Sequence, residues 1–385
     1  MAKSGSGSPW AEHPRGVSRH LVISDLHLGH ADALLSRPQA LERLEPELER
    51  ADVLVLNGDV FDFLVAPLEE CADAGRPLFE LAGRLVERII YVPGNHDYHF
   101  VAHEEDRARF AAITGGAEQK PFRLQTAEWV LSSLAGGRCE VRAYYPQAPV
   151  AGATVMHGHY TDPHLGGFGH RLAAKVSRRL AGITTAEPDL RAADYEALIA
   201  PLTELLYRSA QLPGSRRTWR HTERALVFTA ALIHAPRLLR RTLASWRRGS
   251  TEQPDELAEW DIVAGPFALI TPEEAREAMR HVFANLGLQA GEYLIGHTHV
   301  PFAPLECGPH TLANSGAWLY DRRHARHPAY RRAAWPGTAL RKELGRPAEL
   351  VSLLGDGGER ELVRWLDGAR AKRGRRFWRR PRHAG

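Results

Sequence analysis

Five short apolar runs, each ending in Gly, Asn, Asp or His, constrain this chain more than any other feature of its sequence. The runs are rich in Val, Ile and Leu, which favours buried β-strands, and the polar residues stand at their carboxyl ends. Between the first three runs, Leu and Phe recur every three or four positions, which predicts helices at Pro38–Arg50 and Pro77–Arg88. The pattern therefore predicts an α/β fold with functional groups at strand ends. The runs are HLVISD, DVLVLNGD, RIIYVPGNHD, ATVMHGH and EYLIGHTH.

The size and composition of the chain are those of a globular protein. Its 385 residues can bury a large core, and 44% hydrophobic with 25% charged residues excludes disorder for most of its length. The three cysteines are far apart and form no metal-ligand spacing, which excludes a disulfide framework or zinc ribbon and favours a reducing compartment. We find neither a secretory signal nor the ~20 apolar residues that a membrane span needs. We therefore expect a cytoplasmic protein, with residues 1–18 as a flexible leader.

The rhythm of strand and helix is interrupted between the fourth and fifth runs. Residues 165–288 are Arg-rich and helical in pattern, so we expect a helical insert or cap there, with helices at Pro188–Gln211 and Thr218–Trp246. The flanking segments 19–164 and 289–355 would form the core, ending in a strand at 349–354. Residues 356–385 are expected to form a basic tail, because eight Lys and Arg residues surround Phe377 and Trp378 there.

The first two runs end in residues that suit a metal site. Asp25 and His27 are two positions apart at a strand end, so a carboxylate and an imidazole can project to the same side and share one cation. Asp59 follows the second run after Gly58 and has no neighbouring cation in the sequence to neutralise it. A buried carboxylate of this kind needs a positive partner.

The remaining runs supply further ligand types. Asn95 offers a neutral amide oxygen, His96 could act as an acid, and Asp97 could orient His96. Imidazoles end the fourth and fifth runs, at His157, His159, His297 and His299. For His159, Asp62 and Asn314, a purely structural role is as reasonable as a role in a site.

The ordered set DxH, GDxxD, GNHD, HGH and GHTH resembles the calcineurin-like metallophosphoesterase superfamily over about Leu21 to Trp318, excluding the insert. The resemblance implies an αββα fold, a β-sandwich flanked by helices, with the site at strand carboxyl ends. It also implies two divalent cations, with Mn first and Fe, Zn or Co as alternatives. Asp25, His27 and His299 would hold the first cation, Asn95, His157 and His297 the second, and Asp59 would bridge them. His96 would be the general acid or a transition-state stabiliser, oriented by Asp97, and Asp62 would support the site.

Within the superfamily, SDLHLG and GDVFDF are most similar to the bacterial UDP-2,3-diacylglucosamine pyrophosphohydrolase group, which acts on lipid-linked nucleotide diphosphates. The sequence departs from that group at GNHD, where the group has GNRD, and its insert is far longer. The resemblance therefore implies a phosphoester or pyrophosphate hydrolase and leaves its substrate open. A DNA nuclease of the same superfamily and a catalytically silent, metal-bound scaffold are the alternatives.

Two basic segments raise the question of an anionic membrane surface. An apolar stretch in the insert, Ala225–Ile233, is flanked by arginines on both sides, which suits an interfacial helix or a lipid-chain cap. An ordinary packed helix with solvated arginines explains the same pattern equally well. The basic tail could add attraction to anionic headgroups. We therefore expect a phosphoester substrate and no binding of nucleic acid. Peripheral contact with the inner face of the membrane is a further option. The sequence does not indicate an oligomeric state.

Overall fold

A computed structural model of the chain describes residues 19–31, 33–113, 122–165, 168–213, 270–299, 302–319, 349–354 and 360–364. In this part of the chain, strands form one sheet of seven and one sheet of five. The seven-stranded sheet contains β1 (Arg19–Ile23), β2 (Val53–Asn57), β3 (Arg88–Val92), β4 (Phe122–Arg123), β5 (Glu140–Tyr145), β11 (Glu349–Leu354) and β12 (Arg360–Arg364). The five-stranded sheet contains β6 (Gln147–Val150), β7 (Ala153–Met156), β8 (Glu292–Ile295), β9 (Phe302–Cys307) and β10 (His310–Asn314).

Both sheets have parallel centres and antiparallel edges. The first has the order β12-β11-β1-β2-β3-β5-β4, in which β1, β2, β3 and β5 are parallel. The second has the order β6-β7-β8-β10-β9, in which β7, β8 and β10 are parallel. The carboxyl ends of parallel strands lie on one edge of a sheet, so this order brings the predicted functional groups of each sheet together.

Alternating side chains show that the two sheets pack face to face. Val22, Val55 and Ile90 of the first sheet share one apolar cluster with Val155 and Leu294 of the second. Their neighbours along the strands point the opposite way, as the two-residue period of a strand requires. The core therefore contains a layer between the sheets and one layer outside each sheet.

Seven α-helices lie in the described part of the chain, and several of them cover the outer faces of the sheets. They are α1 (Pro38–Glu49), α2 (Leu68–Leu85), α3 (His99–Ile113), α4 (Gln125–Leu134), α5 (Phe168–Leu180), α6 (Ala192–Ala210) and α7 (Pro272–Leu286). Leu44, Leu78 and Leu131, from three of these helices, pack on the outer face of the first sheet. Met279 and Phe283 of α7 pack against the second sheet. The described residues thus form the expected αββα sandwich.

The structure corrects two expected boundaries. Helix α2 begins at Leu68, nine residues before the predicted start at Pro77, and ends at Leu85. Pro77 lies inside the helix, because burial of Cys71, Leu78 and Phe79 along one stripe outweighs the local cost of proline. In addition, β12 occupies part of the segment expected to be tail, where it pairs with β11 and widens the first sheet.

Other expectations agree with the structure or lie outside its described part. The predicted helix at Pro188–Gln211 appears as a 3-10 turn at Glu187–Asp189 followed by α6, and the strand predicted at 349–354 is β11. The leader, the helix predicted at Thr218–Trp246 and the tail beyond residue 364 lie outside the described residues. Among the described helices, none combines the length and apolar character needed to cross a bilayer.

Candidate metal centre

The two sheets join at the edge where the predicted motifs end. The backbone N–H of His27 donates to the carbonyl of Asp59 at 2.8 Å, which joins the loops after β1 and β2. The backbone N–H of His297, after β8 in the other sheet, lies 3.0 Å from both carboxylate oxygens of Asp25. Gly296 N–H donates to the carbonyl of His157 at 2.8 Å. These bonds hold the loops from both sheets around a single centre.

The backbone at this centre adopts a conformation that side chains rarely take. Six non-glycine residues in the described part of the chain have positive φ, between 47° and 63°, and five of them were predicted metal ligands. Such residues cost of order 1–3 kcal/mol each and persist where the surrounding structure over-determines them. The strain is therefore concentrated at the candidate site. The five are Asp25, His27, Asp59, His297 and His299.

The structure brings together the predicted ligands of the first cation. Asp25, His27, Asp59 and His299 each offer a ligand atom, and these atoms lie within 4.8 Å of one another. His299 Nε2 is 3.2 Å from Asp25 Oδ1 and 3.1 Å from His27 Nε2. Carboxylate oxygens and imidazole nitrogens converging at this distance suit a small divalent cation.

A second group shares Asp59 with the first. Asp59, His157 and His297 also have ligand atoms within 4.8 Å of one another, and His157 Nε2 lies 3.1 Å from Asp59 Oδ2. Asn95 Oδ1 is buried and has no hydrogen-bond partner among the described residues. Because buried polar atoms are nearly always paired, this atom points to a ligand that completes the site. Asp59 belongs to both groups, which is the position that a bridging ligand would take.

Two glycines permit this close packing of ligands. A Cβ at Gly58, which has a φ of 82°, would lie 2.0 Å from Nδ1 of His157. A Cβ at Gly94 would lie 2.1 Å from Oδ1 of Asp59 and 2.6 Å from Nε2 of His157. The glycines of the GD and GN motifs are therefore required by the space that the ligands occupy.

The charges at the centre also suit cations. Asp25 and Asp59 are at most 1% exposed. Burial alone would raise the pKa of Asp59, but the charges of His157, His96 and His27 together outweigh it and hold that pKa well below its ordinary value. Burial likewise opposes the charge of His157, whereas attraction by Asp59 raises the pKa of His157 to about 9. The carboxylates thus remain ionised only with positive charge beside them, which imidazolium groups or metal ions can supply.

Asp62 orients two histidines at once. Its Oδ2 lies 3.2 Å from His27 Nδ1, and its Oδ1 lies 2.7 Å from His96 Nδ1. Burial opposes a charge on His96, but attraction first by Asp62 and then by Asp59 raises the pKa of His96 to about 10. The sequence left the role of Asp62 open, and the structure places it at the centre of this network. The Asp62 carboxylate fixes one predicted ligand and the predicted acid together.

The expected pairing of His96 with Asp97 is wrong. Asp97 is fully buried and turned away, where Oδ2 accepts from the backbone N–H of Val60 at 2.8 Å and Oδ1 from that of Gly94 at 2.5 Å. Adjacent residues in a loop point in different directions, so Asp97 braces the loops after β2 and β3 while His96 faces the site. Burial, followed by repulsion from Asp59, raises the pKa of Asp97 to about 6.

Two further groups surround the second ligand set. His159 is buried beside His157, with ring centroids 5.6 Å apart, and Tyr145 hydroxyl lies 3.2 Å from its Nε2. Asp162 Oδ1 lies 2.7 Å from Nε2 of His297. Asp162 was not among the predicted site residues, although its place five residues after His157 was a usable signal.

A buried carboxylate from α6 lies behind these residues. Glu196 accepts hydrogen bonds from the hydroxyls of Tyr98, Tyr145 and Tyr160, the first two at 3.1 and 2.9 Å. Nothing in the sequence indicated this cluster, because its four members come from separate parts of the chain. Asn314, the other residue left open, donates to Gly296 O at 2.7 Å and so supports the loop after β8.

Comparison with known proteins agrees with this geometry. No curated protein gives a significant match to the chain. Residues 18–180 match the family model Metallophos, the calcineurin-like phosphoesterases. The matched region contains the first four motifs, and the fifth, at His297 and His299, lies beyond it. The match, the sandwich fold and the Asp and His clusters together support the calcineurin-like phosphoesterase superfamily for this domain.

Proposed function

We propose that this chain hydrolyses a phosphoester or pyrophosphate bond with the help of two divalent cations. One observation carries the proposal: two ligand groups, each with its atoms within 4.8 Å, share the carboxylate of Asp59. Asp25, His27 and His299 would hold one cation, and Asn95, His157 and His297 the other. A shared carboxylate is the arrangement that holds two metal ions close enough to act on one phosphoryl group.

The ligand set suits the proposed cations. When bound, two such cations clamp the phosphoryl oxygens and lower the pKa of a bound water. Oxygen and imidazole ligands without thiolate suit Mn, Fe, Zn or Co, and we propose Mn as the first to test. The buried Asn95 Oδ1 would gain its missing partner from the second cation.

His96 is proposed as the catalytic acid. Its side chain is 27% exposed, whereas the ligands around it are largely buried, so it can reach a substrate. Asp62 holds Nδ1 of the ring, which leaves Nε2 to donate to a phosphoryl or leaving-group oxygen. The backbone N–H of His96 donates to Asp59 Oδ1 at 2.8 Å, which ties the acid to the bridging carboxylate.

The proposed substrate is lipid-linked or a nucleotide. Support comes from the likeness of SDLHLG and GDVFDF to the pyrophosphohydrolase group described above. The arginines of the insert and the basic tail would suit an anionic membrane surface. The first segments to test for membrane contact are therefore residues 216–248 and 370–382.

Hydrolysis by the Mn-loaded full chain tests the proposal. The substrates are bis-p-nitrophenyl phosphate, p-nitrophenyl phosphate and a UDP-linked lipid, and the variants are Asp59→Asn and His96→Ala. We expect turnover of one substrate class by the wild type and a loss of roughly 100-fold or more in each variant. Asp73→Asn, at a side chain that is 76% exposed, is the matched control and should retain wild-type activity.

The alternatives give different results in the same assay. Degradation of DNA ends in preference to these substrates would identify a nuclease. Binding of two cations without turnover of any substrate, membrane lipid extracts included, would favour the scaffold. Retention of every predicted ligand together with His96 argues against a silent scaffold.

A further inference from the structure

We propose that Asp162 is a positioning residue of the second metal site, which selects the nitrogen that His297 presents to the cation. The inference rests on the proposed function, since it concerns one of the proposed ligands. Neither the motifs nor the family match assigns a role to Asp162, which belongs to the 3-10 turn His159–His164 after β7.

A short contact connects Asp162 to the ligand. Asp162 Oδ1 lies 2.7 Å from His297 Nε2, although the two residues are 135 positions apart in the chain. The His297 side chain is 10% exposed, whereas that of Asp162 is 38% exposed, so the carboxylate lies on the solvent side of the ring. A carboxylate at this distance favours the N–H at Nε2. The Nδ1 lone pair is then the one available for a cation.

Two other ligand histidines show the same arrangement. His157 Nδ1 donates to the carbonyl of Asn57 at 3.1 Å, which leaves Nε2 toward Asp59. His27 Nδ1 lies 3.2 Å from Asp62. In each case one ring nitrogen is held by a group outside the ligand set and the other is left for the cation. Asp162 supplies this contact for His297, with Nε2 as the held nitrogen.

Helix α6 holds the turn that carries Asp162. At one end of the turn, Tyr160 hydroxyl donates to the buried carboxylate of Glu196. At the other end, His164 Nε2 lies 2.6 Å from the hydroxyl of Tyr195, the neighbouring residue on the helix. Because both ends are tied to one helix, Asp162 is held in place relative to the sandwich.

The experiment measures Mn²⁺ binding to the full chain by calorimetry for the wild type, Asp162→Asn and the control Asp73→Asn. We expect Asp162→Asn to bind the second cation about 10- to 100-fold more weakly, with the first cation unaffected. The concentration of Mn²⁺ that gives half-maximal hydrolysis should rise by the same factor, whereas kcat at saturating Mn²⁺ should stay within about threefold of wild type. If Asp162→Asn binds the second Mn²⁺ as tightly as Asp73→Asn does, the inference is overturned.

A spectroscopic measurement separates positioning from a structural role. Nitrogen NMR of the Zn-loaded, histidine-labelled chain identifies the metal-bound nitrogen of each ring, and His297→Asn identifies the signals of His297. We expect metal at Nδ1 and a proton at Nε2 in the wild type. Metal at Nε2 would overturn the inference even if the affinities change. A wild type that binds fewer than two cations would instead refute the proposed function, and the inference with it.

Discussion

The buried Glu196 makes a prediction about stability that does not depend on the metal centre. Glu196 is 9% exposed, and three tyrosine hydroxyls surround its carboxylate. Burial raises its pKa, the hydroxyl of Tyr160 lowers it, and the charge of Glu105 raises it again, so that the pKa rises from 4.5 to about 7. Replacing Glu196 with Gln keeps the shape of the side chain and removes its titration.

The magnitude follows from the pKa of Glu196. Each pKa unit is worth about 1.4 kcal/mol, so a rise from 4.5 to about 7 corresponds to roughly 3 kcal/mol. Since the folded-state pKa is the higher one, the stabilisation from tighter proton binding is complete below pH 4.5. It is lost as the pH rises through about 7. Between these pH values, the wild type should lose about 3 kcal/mol of unfolding free energy that the Gln variant retains.

Urea unfolding at pH 4.5 and pH 8 in the presence of a chelator measures this difference. The unfolding free energy of the wild type minus that of Glu196→Gln should fall by about 3 kcal/mol between the two pH values. Glu277→Gln, at an exposed carboxylate that is paired with Arg280, is the control and should show a change of less than about 0.5 kcal/mol. If the difference in unfolding free energy between the wild type and Glu196→Gln does not change with pH, the raised pKa of Glu196 is refuted.

Three further predictions concern the metal centre. Gly94→Ala should abolish binding of the second cation, because its Cβ would lie 2.1 Å from Asp59 Oδ1. The control Gly291→Ala, which has open space around its Cβ, should bind both cations as the wild type does. The metal content of each variant after dialysis measures the difference. Asp62→Asn should lower kcat/KM about 10- to 100-fold, because one carboxylate orients both His27 and His96, and wild-type kinetics would contradict this. Mn²⁺ at 100 times its Kd should raise the unfolding free energy by about 2.7 kcal/mol per site over that of chelator-treated protein. Equal urea midpoints with Mn²⁺ and with chelator would show that the folded state holds no such cation.

The sequence predicted the parts of the structure that depend on local pattern. All five apolar runs are strands, β1, β2, β3, β7 and β8, because each combines β-branched residues with polar residues at its end. The grouping of the metal ligands came from the family resemblance, and the structure brings Asp25, His27 and His299 together around Asp59, as it does His157 and His297. The rhythm of strands and helices predicted only an α/β fold, and the αββα layers came from the resemblance to the metallophosphoesterase superfamily.

The sequence could not predict contacts that depend on side-chain direction or on distant segments. Whether Asp62 or Asp97 faces His96 depends on the path of the loop. Because Asp97 is adjacent to His96 in the sequence, it was predicted as the partner, which is wrong. Glu196 meets three tyrosines from separate segments, so no local spacing revealed the cluster. The start of α2 was missed because tertiary packing allowed Pro77 inside a helix.

The most direct test of the central claim is the electron paramagnetic resonance spectrum of the chain loaded with two equivalents of Mn²⁺. We expect a spin-coupled pair, because both ions would share the carboxylate of Asp59, and we expect Asp59→Asn to lose the coupling. Two isolated six-line signals, or a single bound ion in the wild type, would contradict the dinuclear site.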